Sequence, residues 1–481
     1  MIELSKYKDE YKMFPLSAEI LADTTTPINI LRKLNEISDN FYLLESVENS
    51  ESLGRYSFLG FEPSLNIKYK NGITTITSSE IISTSTEDPI TILRKYINKY
   101  KSPKLPELPP FTGGFIGYMA YEMIAYAEPK LTLPLNHDND FEFQFFDKVI
   151  AFDNLKKKII VIVNMKLDNI AKQYKKARLE IAKIISLIQS TEAPEKIPYP
   201  KTVSFNCTTS KTKFFDMVKR AKQYITDGDI FQVVLSRKFE ADFSGSLIDA
   251  YRMLRVNNPS PYMYFIKSDA LEICGTSPET LVKVVDRKIT TFPVAGTRPR
   301  GKTPEEDAEL ERSLLADEKE LAEHNMLVDL ARNDIGRVAA FGTVEVEEYL
   351  QIHRYSKVMH IASIVSGTLK KSFDAFHAIN SLLPAGTLSG APKFRACEII
   401  AELEECSRGI YGGAIGYIDL SGNLDMCIAI RTAISDGQKV YVQAGAGIVY
   451  DSIAHNEYQE CRNKASAVMQ AVENAYNIDQ F

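Results

Sequence analysis

An α+β fold with large antiparallel sheets is what this sequence predicts, and three observations predict it. Strand-like runs outnumber helical ones along the chain. Many neighbouring runs are separated only by short polar turns, which join antiparallel strands and cannot serve parallel ones. The helices fall between groups of strands and do not alternate with them one for one, as a doubly wound parallel sheet requires. The 481 residues suffice for one large domain or two to three average ones.

Residues 1–100 alternate short strand-like and helical pieces, with turn signals at Ser50–Gly54 and Lys70–Gly72. The proline-rich stretch SPKLPELPPFTGG cannot be regular throughout, because proline lacks the backbone donor. FDKVIAFDN and KKIIVIVNM are β-rich runs joined by a polar turn and predict a hairpin. Residues 168–190 carry apolar positions at helical period and predict an amphipathic helix. Residues 191–211 are rich in Pro, Ser and Thr and read as a linker between an N-terminal domain (1–190) and a larger domain (212–481). In the latter, FQVVLSRKFEADF, YMYFIKSDALEICG, TLVKVVDRKITTF, GGAIGYIDL, DMCIAIRTAIS and KVYVQAGAGIVY each read as strands. Helices are expected from 212 and near 246–256, 304–332, 373–382, 393–404 and 455–476. No internal repeat or low-complexity segment appears.

Composition removes several function classes. The chain is 44% hydrophobic and 25% charged, with net charge −6. No basic stripe stands out, so nucleic acid and anionic membranes are not expected partners. The six cysteines are scattered with no C-x-x-C, which fits reduced packing thiols in a cytoplasmic protein. The N-terminal MIELSKYKDEYKM has no signal-peptide core, and no run approaches the ~20 apolar residues of a membrane span. GTLSGAPK fails the phosphate-loop pattern, since its lysine does not follow the second glycine. GAGIVY lacks the third glycine of a dinucleotide fingerprint. Its glycines admit two readings: close approach of backbone N–H groups to an anion, or a tight turn.

Two pairs of glutamates carry the sharpest chemical signal. Glu320 and Glu323 lie in LLADEKELAEHNMLVDLARND; Glu457 and Glu460 lie in AHNEYQECRNKA. Both segments have helical periodicity, and a spacing of three puts each pair on one helix face. Two such faces brought together make an oxygen-rich site suited to Mg²⁺. The plain alternative is two solvated faces with pairs such as Glu320…His324 and Glu460…Lys464.

Further polar segments accompany these pairs: DIFQVVLSR, NPSPYMYF, GTSPETLV, FPVAGTRPRG, YSKVMHI, PAGTLSGAPK, YGGAIGY, DMCIAIRTA and QAGAGIVYDS. In this order and spacing, over roughly residues 205–470, the chain closely resembles the chorismate-utilising enzymes, and within them the anthranilate synthase branch. The N-terminal LLES (Leu43–Ser46) and GGFIGYMAYE extend the likeness. The resemblance implies two large, mostly antiparallel sheets packed as a sandwich with helices outside, the N-terminal region interleaved with a C-terminal chorismate-binding domain. It implies a Mg²⁺-dependent lyase reaction of chorismate with ammonia to anthranilate and pyruvate, through an aminodeoxyisochorismate intermediate. It also implies roles for individual residues. Glu323 and Glu460 would be direct metal ligands and Glu320 and Glu457 would hold metal-bound water. Arg431 would bind the second substrate carboxylate, with Tyr411, Gly445, Ala446, Gly447 and Lys464 around it. Glu279 in SPET would be the general acid, its proton retained through burial and the nearby glutamates. His360 would serve the elimination step, although a lone histidine after an apolar run is ordinarily a satisfied core residue. Thr387 would contact substrate.

Two positions separate the branches. Gln232 stands where the water-adding branches carry a lysine base. Ala295 stands where the 4-amino branch (aminodeoxychorismate synthase component I) carries a nucleophilic lysine. Both favour ortho-amination. Leu44, Glu45, Ser46, Pro261, Tyr262 and Met263 resemble a tryptophan inhibitor pocket, which makes the N-terminal domain regulatory. No glutaminase nucleophile is apparent, so ammonia would come from a glutamine amidotransferase subunit in a heterodimer or heterotetramer. A catalytically silent tryptophan-binding regulator is the reading from another class; it need not keep the metal ligands or His360.

Overall fold

The computed structural model describes residues 2–46, 54–78, 81–136, 138–355 and 358–480. The turn signal at Ser50–Gly54 and the Ser356–Lys357 step of YSKVMHI fall largely outside them. The described chain forms two twelve-stranded sheets in which every pairing is antiparallel. Both sheets are built from both ends of the chain. In the first, Asn40–Glu45 pairs with Tyr262–Ser268, placing Glu45 opposite Met263. In the second, Gly114–Met119 pairs with Ala414–Asp419. The expected interleaving is therefore made of continuous backbone hydrogen bonding across two seams.

Side-chain alternation explains why the sheets stack. Tyr42, Tyr264, Ile266 and Ile273 of the first sheet meet Ile116, Tyr118, Phe146 and Ile415 of the second in one buried core. The opposite face of the first sheet is covered by Pro27–Ile37, Ile170–Gln189, Ile248–Asn257 and Ala454–Asn474. The opposite face of the second is covered by Pro89–Lys99, Glu318–Val338 and Ala375–Leu382. This is the sandwich with helices outside. Among the described residues no helix is long and apolar enough to cross a membrane.

Local chemistry sets the turns. Asn71 and Gly72 both take positive φ (50° and 81°) and join Leu65–Lys70 to Ile73–Ser78, the conformation that an Asn-Gly hairpin favours. The hairpin of Lys148–Asp153 and Lys158–Lys166 forms as expected, with Asp153 opposite Lys158.

Three expected strands prove to be pairs. YMYFIKSDALEICG turns at Asp269 (φ 54°) into Tyr262–Ser268 and Leu271–Ser277. TLVKVVDRKITTF turns at Asp286–Arg287, both at positive φ. DMCIAIRTAIS leaves the second sheet after Ile428 and enters the first at Thr432. The expected helix 304–332 is two helices, Pro304–Leu315 and Glu318–Val338, because Asp317 caps the second by accepting from Lys319 N and Glu320 N. Residues 191–205 carry no helix or strand.

Candidate active site

Two sheet-to-sheet crossings run side by side and carry the central pair of the site. The chain passes from the first sheet to the second through Pro278–Glu279, and from the second to the first through Ala429–Arg431. They are laced together. Ser277 Oγ donates to Ile428 O at 2.7 Å, Ile428 N donates to Glu279 O at 3.0 Å, and Thr276 N donates to Arg431 O at 3.2 Å. Arg431 sits in the left-handed region (φ 51°), a conformation that costs a non-glycine residue about 1–2 kcal/mol and persists where surrounding contacts impose it.

Glu279 is buried. Burial pushes its carboxyl up to about 8, against the lowering effects of a hydrogen bond from Thr387 and of Lys464 and Arg431. The Thr387 Oγ1 to Glu279 Oε1 distance is 3.1 Å. The expected push from four nearby glutamates is absent: the neighbouring charges are cations, and desolvation alone holds the proton on. Behind the pair, Leu327, Leu330, Asp334, Leu382 and Gly386 line a recess.

Arg431 forms no ion pair or side-chain hydrogen bond among the described residues. Burial disfavours its charge, and only Glu279 and Tyr355 favour it. Among the described residues, then, no structural ion pair explains Arg431. A mostly buried guanidinium left this way calls for an anion.

His360 is buried on the strand Val358–Thr368. Its Nδ1 lies 3.0 Å from Gly296 O and 3.0 Å from Thr297 Oγ1. A carbonyl only accepts, so Nδ1 carries the proton and Nε2 is left bare. Burial lowers the His360 pKa below its ordinary 6.5, so the neutral base is the resting form at pH 7. Gly296 was not singled out in the sequence. It occupies a bulge between Ala295 and Thr297, takes φ 68°, and a Cβ there would come within 3.2 Å of Glu320 Oε2. Ala295 lies opposite Ile361.

The far wall is the pair of strands Gln232–Asp242 and Lys439–Ile448. A Cβ at Gly445 would lie 2.8 Å from the Tyr411 hydroxyl, and one at Gly447 would lie 2.7 Å from Gln232 Nε2. Both glycines thus serve close approach, and Ala446 between them faces the core. Gln232 is buried, and its Oε1 has no hydrogen-bond partner among the described residues.

The two glutamate helices lie beside this wall, near enough for charges on one to act on carboxyls of the other. Glu457 is buried, Glu320 and Glu323 are half-buried and Glu460 is exposed. Burial raises the carboxyls of Glu320, Glu323 and Glu457, and in each the Glu460 charge adds to it. Lys464 pairs with Glu460 at 2.7 Å and donates to Gly445 O at 3.2 Å, tying the second helix to this wall. The expected Glu320…His324 pair does not form, because His324 is buried against Ser363 Oγ at 2.6 Å; Glu320 lies 3.8 Å from Arg298 Nη1 instead. Among the described residues no three metal-ligating side chains are gathered into a ready cation cage. The donor set nevertheless suits a hard divalent cation, being all carboxylate, partly desolvated and mutually repelling.

The effector candidates lie at the first seam. Glu45 accepts from Tyr251 Oη at 2.9 Å, Arg255 Nη2 at 2.9 Å and Ser57 Oγ at 3.2 Å. Ser46 Oγ is buried without a partner among the described residues. Strand alternation divides the set. Met263 packs into the core under the helices, whereas Leu44 and Tyr262 pack between the sheets. Pro261 is buried just before the strand.

Comparison with known proteins shows the family to which the chain belongs. A family model described as chorismate binding enzyme matches residues 39–470. Anthranilate synthase component 1 of Acetivibrio thermocellus is 46% identical, over 98% of this chain and 97% of its own length. Its counterpart from Aquifex aeolicus is 45% identical, over 98% and 97%. The crystal structure of anthranilate synthase component I from Streptococcus pneumoniae superposes with a TM-score of 0.78 at 39% identity, covering 93% of this chain and 98% of that one. The menaquinone-specific isochorismate synthase of Escherichia coli shares the fold, with a TM-score of 0.71 at 18% identity, covering 98% of each chain.

Proposed function

We propose, from the premise that this chain belongs to the chorismate-binding enzymes and stands with their anthranilate synthase component 1 members, that it converts chorismate and ammonia to anthranilate and pyruvate. The observation that carries the proposal is Arg431: a mostly buried cation with no ion pair among the described residues, between a carboxyl that keeps its proton and a neutral imidazole. Chorismate brings two carboxylates, and a planar guanidinium binds one of them bidentately. Tyr411 and the backbone at Gly445–Gly447 complete that cradle.

The chemistry follows from the protonation states. Protonated Glu279 gives its proton to the C4 hydroxyl, which leaves as water while ammonia bonds to C2 and the ring double bonds shift. Ammonia needs no base, and Gln232 offers an acceptor but no basic nitrogen. The new ammonium then sheds a proton, which can restore Glu279. In the second step His360 Nε2 takes the C2 proton, the C3–O bond breaks, and the enolpyruvyl group departs, gaining a proton to become pyruvate. The ring is then aromatic. Ala295 cannot form a covalent adduct, which supports ortho- over para-amination.

The carboxylates of Glu323 and Glu460 would hold Mg²⁺ directly, with Glu320 and Glu457 binding its waters. The bound ion would polarise the ring carboxylate as a Lewis acid. Ammonia would come from a glutamine amidotransferase subunit, consistent with relatives named as component 1. With chorismate, ammonium salt and Mg²⁺, anthranilate fluorescence and pyruvate should rise in equal amounts, and EDTA should abolish both. Formation of 4-aminobenzoate or its precursor would favour the para branch. Folded protein that leaves chorismate untouched would favour the silent regulator.

Tryptophan is proposed to bind at the Glu45–Ser46 and Pro261–Met263 seam, supported by the buried Ser46 hydroxyl, which has no partner among the described residues. Ser46→Phe and Met263→Thr are expected to relieve inhibition while the uninhibited rate stays close to wild type. Titration of initial rate with tryptophan measures this, and unchanged sensitivity in both variants would remove the assignment.

A further inference from the structure

A buried polar node lies behind the substrate wall and is used by no step above. Arg408 and Glu404 have side chains only 1% and 2% exposed and pair at 2.6 Å. The guanidinium spends every edge. Nε donates to Glu404 Oε2 at 2.9 Å, Nη1 to Leu388 O at 2.6 Å, and Nη2 to Val234 O at 2.7 Å as well as to Glu404 Oε1. Glu404 Oε1 also accepts from Ser236 N at 2.7 Å and Ser236 Oγ at 2.9 Å. The Arg408 and Gly409 backbone N–H groups donate to the Glu122 carboxylate at 2.7 and 3.0 Å. Glu122 belongs to the N-terminal half of the chain. The Tyr121 ring lies 4.7 Å from the guanidinium, and Tyr411 lies 5.7 Å away.

The carbonyls chosen are informative. Leu388 directly follows Thr387, whose hydroxyl is on Glu279. Val234 is two residues from Gln232, and its N–H donates to Ser389 O at 2.9 Å. We propose that Arg408 is a positioning residue for the amination: its planar fork fixes the Thr387 turn against the Gln232 strand and thereby keeps the Thr387 hydroxyl on Glu279. A lysine delivers the charge but cannot span Glu404 and two carbonyls in one plane.

The proposal rests on the amination reading, so the wild-type chain is assayed first with chorismate, ammonium and Mg²⁺. Absence of turnover there refutes that reading. With turnover established, Arg408→Lys, Thr387→Val and the double variant are compared at matched near-UV circular dichroism. Arg408→Lys is expected to lower kcat about 10- to 100-fold, the scale of a small misplacement, with chorismate KM little changed. The double variant is expected to be no slower than the slower single, because both remove one contact. Multiplicative losses, or a rise in KM with kcat intact, would overturn the proposal. Should Arg408→Lys fail to fold, Glu404→Gln carries the same comparison. Failure of both to fold would make the pair a folding element and overturn the positioning role.

Discussion

Glu279→Gln is expected to lower kcat for anthranilate formation by about 10²- to 10⁴-fold, the range a positioned general acid contributes. Chorismate affinity should change little, because the amide keeps the size of the carboxyl and Arg431 still supplies the cation. The pH dependence gives the sharper signature. A general acid works only while protonated, and burial holds the Glu279 carboxyl near 8. The wild-type kcat should therefore be on a plateau below that value and fall as pH rises through it. Glu279→Gln should lose this alkaline limb along with the rate. Thr387→Val removes a hydrogen bond that favours the ionised carboxylate, so its limb should move to higher pH. A Glu279→Gln enzyme retaining more than a tenth of wild-type kcat would contradict the assignment.

His360→Gln is expected to separate the two half-reactions. Chorismate should still be consumed, while anthranilate forms about 10²- to 10⁴-fold more slowly. The accumulating species should have the mass of chorismate plus ammonia minus water, and no anthranilate fluorescence. The reasoning is geometric first: Nδ1 is committed to Gly296 O, which leaves Nε2 as the ring nitrogen able to take a proton. A base works while deprotonated, and burial lowers this imidazole. The acid limb of the wild-type profile should accordingly lie below the ordinary histidine range. Equal slowing of chorismate consumption and anthranilate formation would place His360 in the first step.

What could be read from the sequence was what is local. The glutamate pairs sit on helices because their apolar neighbours repeat at helical period, and the Asn71–Gly72 turn is set by two residues. The break at Asp317 was also local: an acidic cap three residues before Glu320 is a helix start inside a run read as continuous. The crossing at Ala429–Arg431 was not legible. MCIAIRTAI has no glycine or proline, so nothing in it announces a change of sheet or a left-handed arginine; tertiary contacts from Thr276, Ser277 and Glu279 impose both. The source of the Glu279 shift was misjudged for the same reason. Proximity in motif order suggested neighbouring glutamates, whereas folding surrounds the carboxyl with Thr387, Lys464 and Arg431. Arg408 escaped notice because its partners at 122, 234 and 388 come together with it only in three dimensions.

The account turns on where nitrogen enters the ring. Incubation of the chain with chorismate, Mg²⁺ and ¹⁵N-ammonium, followed by NMR of the aromatic product, measures this directly. The account predicts ¹⁵N on the ring carbon adjacent to the one bearing the carboxylate, with one pyruvate released per nitrogen incorporated. Nitrogen para to the carboxylate, or a hydroxylated product without ¹⁵N, would contradict it.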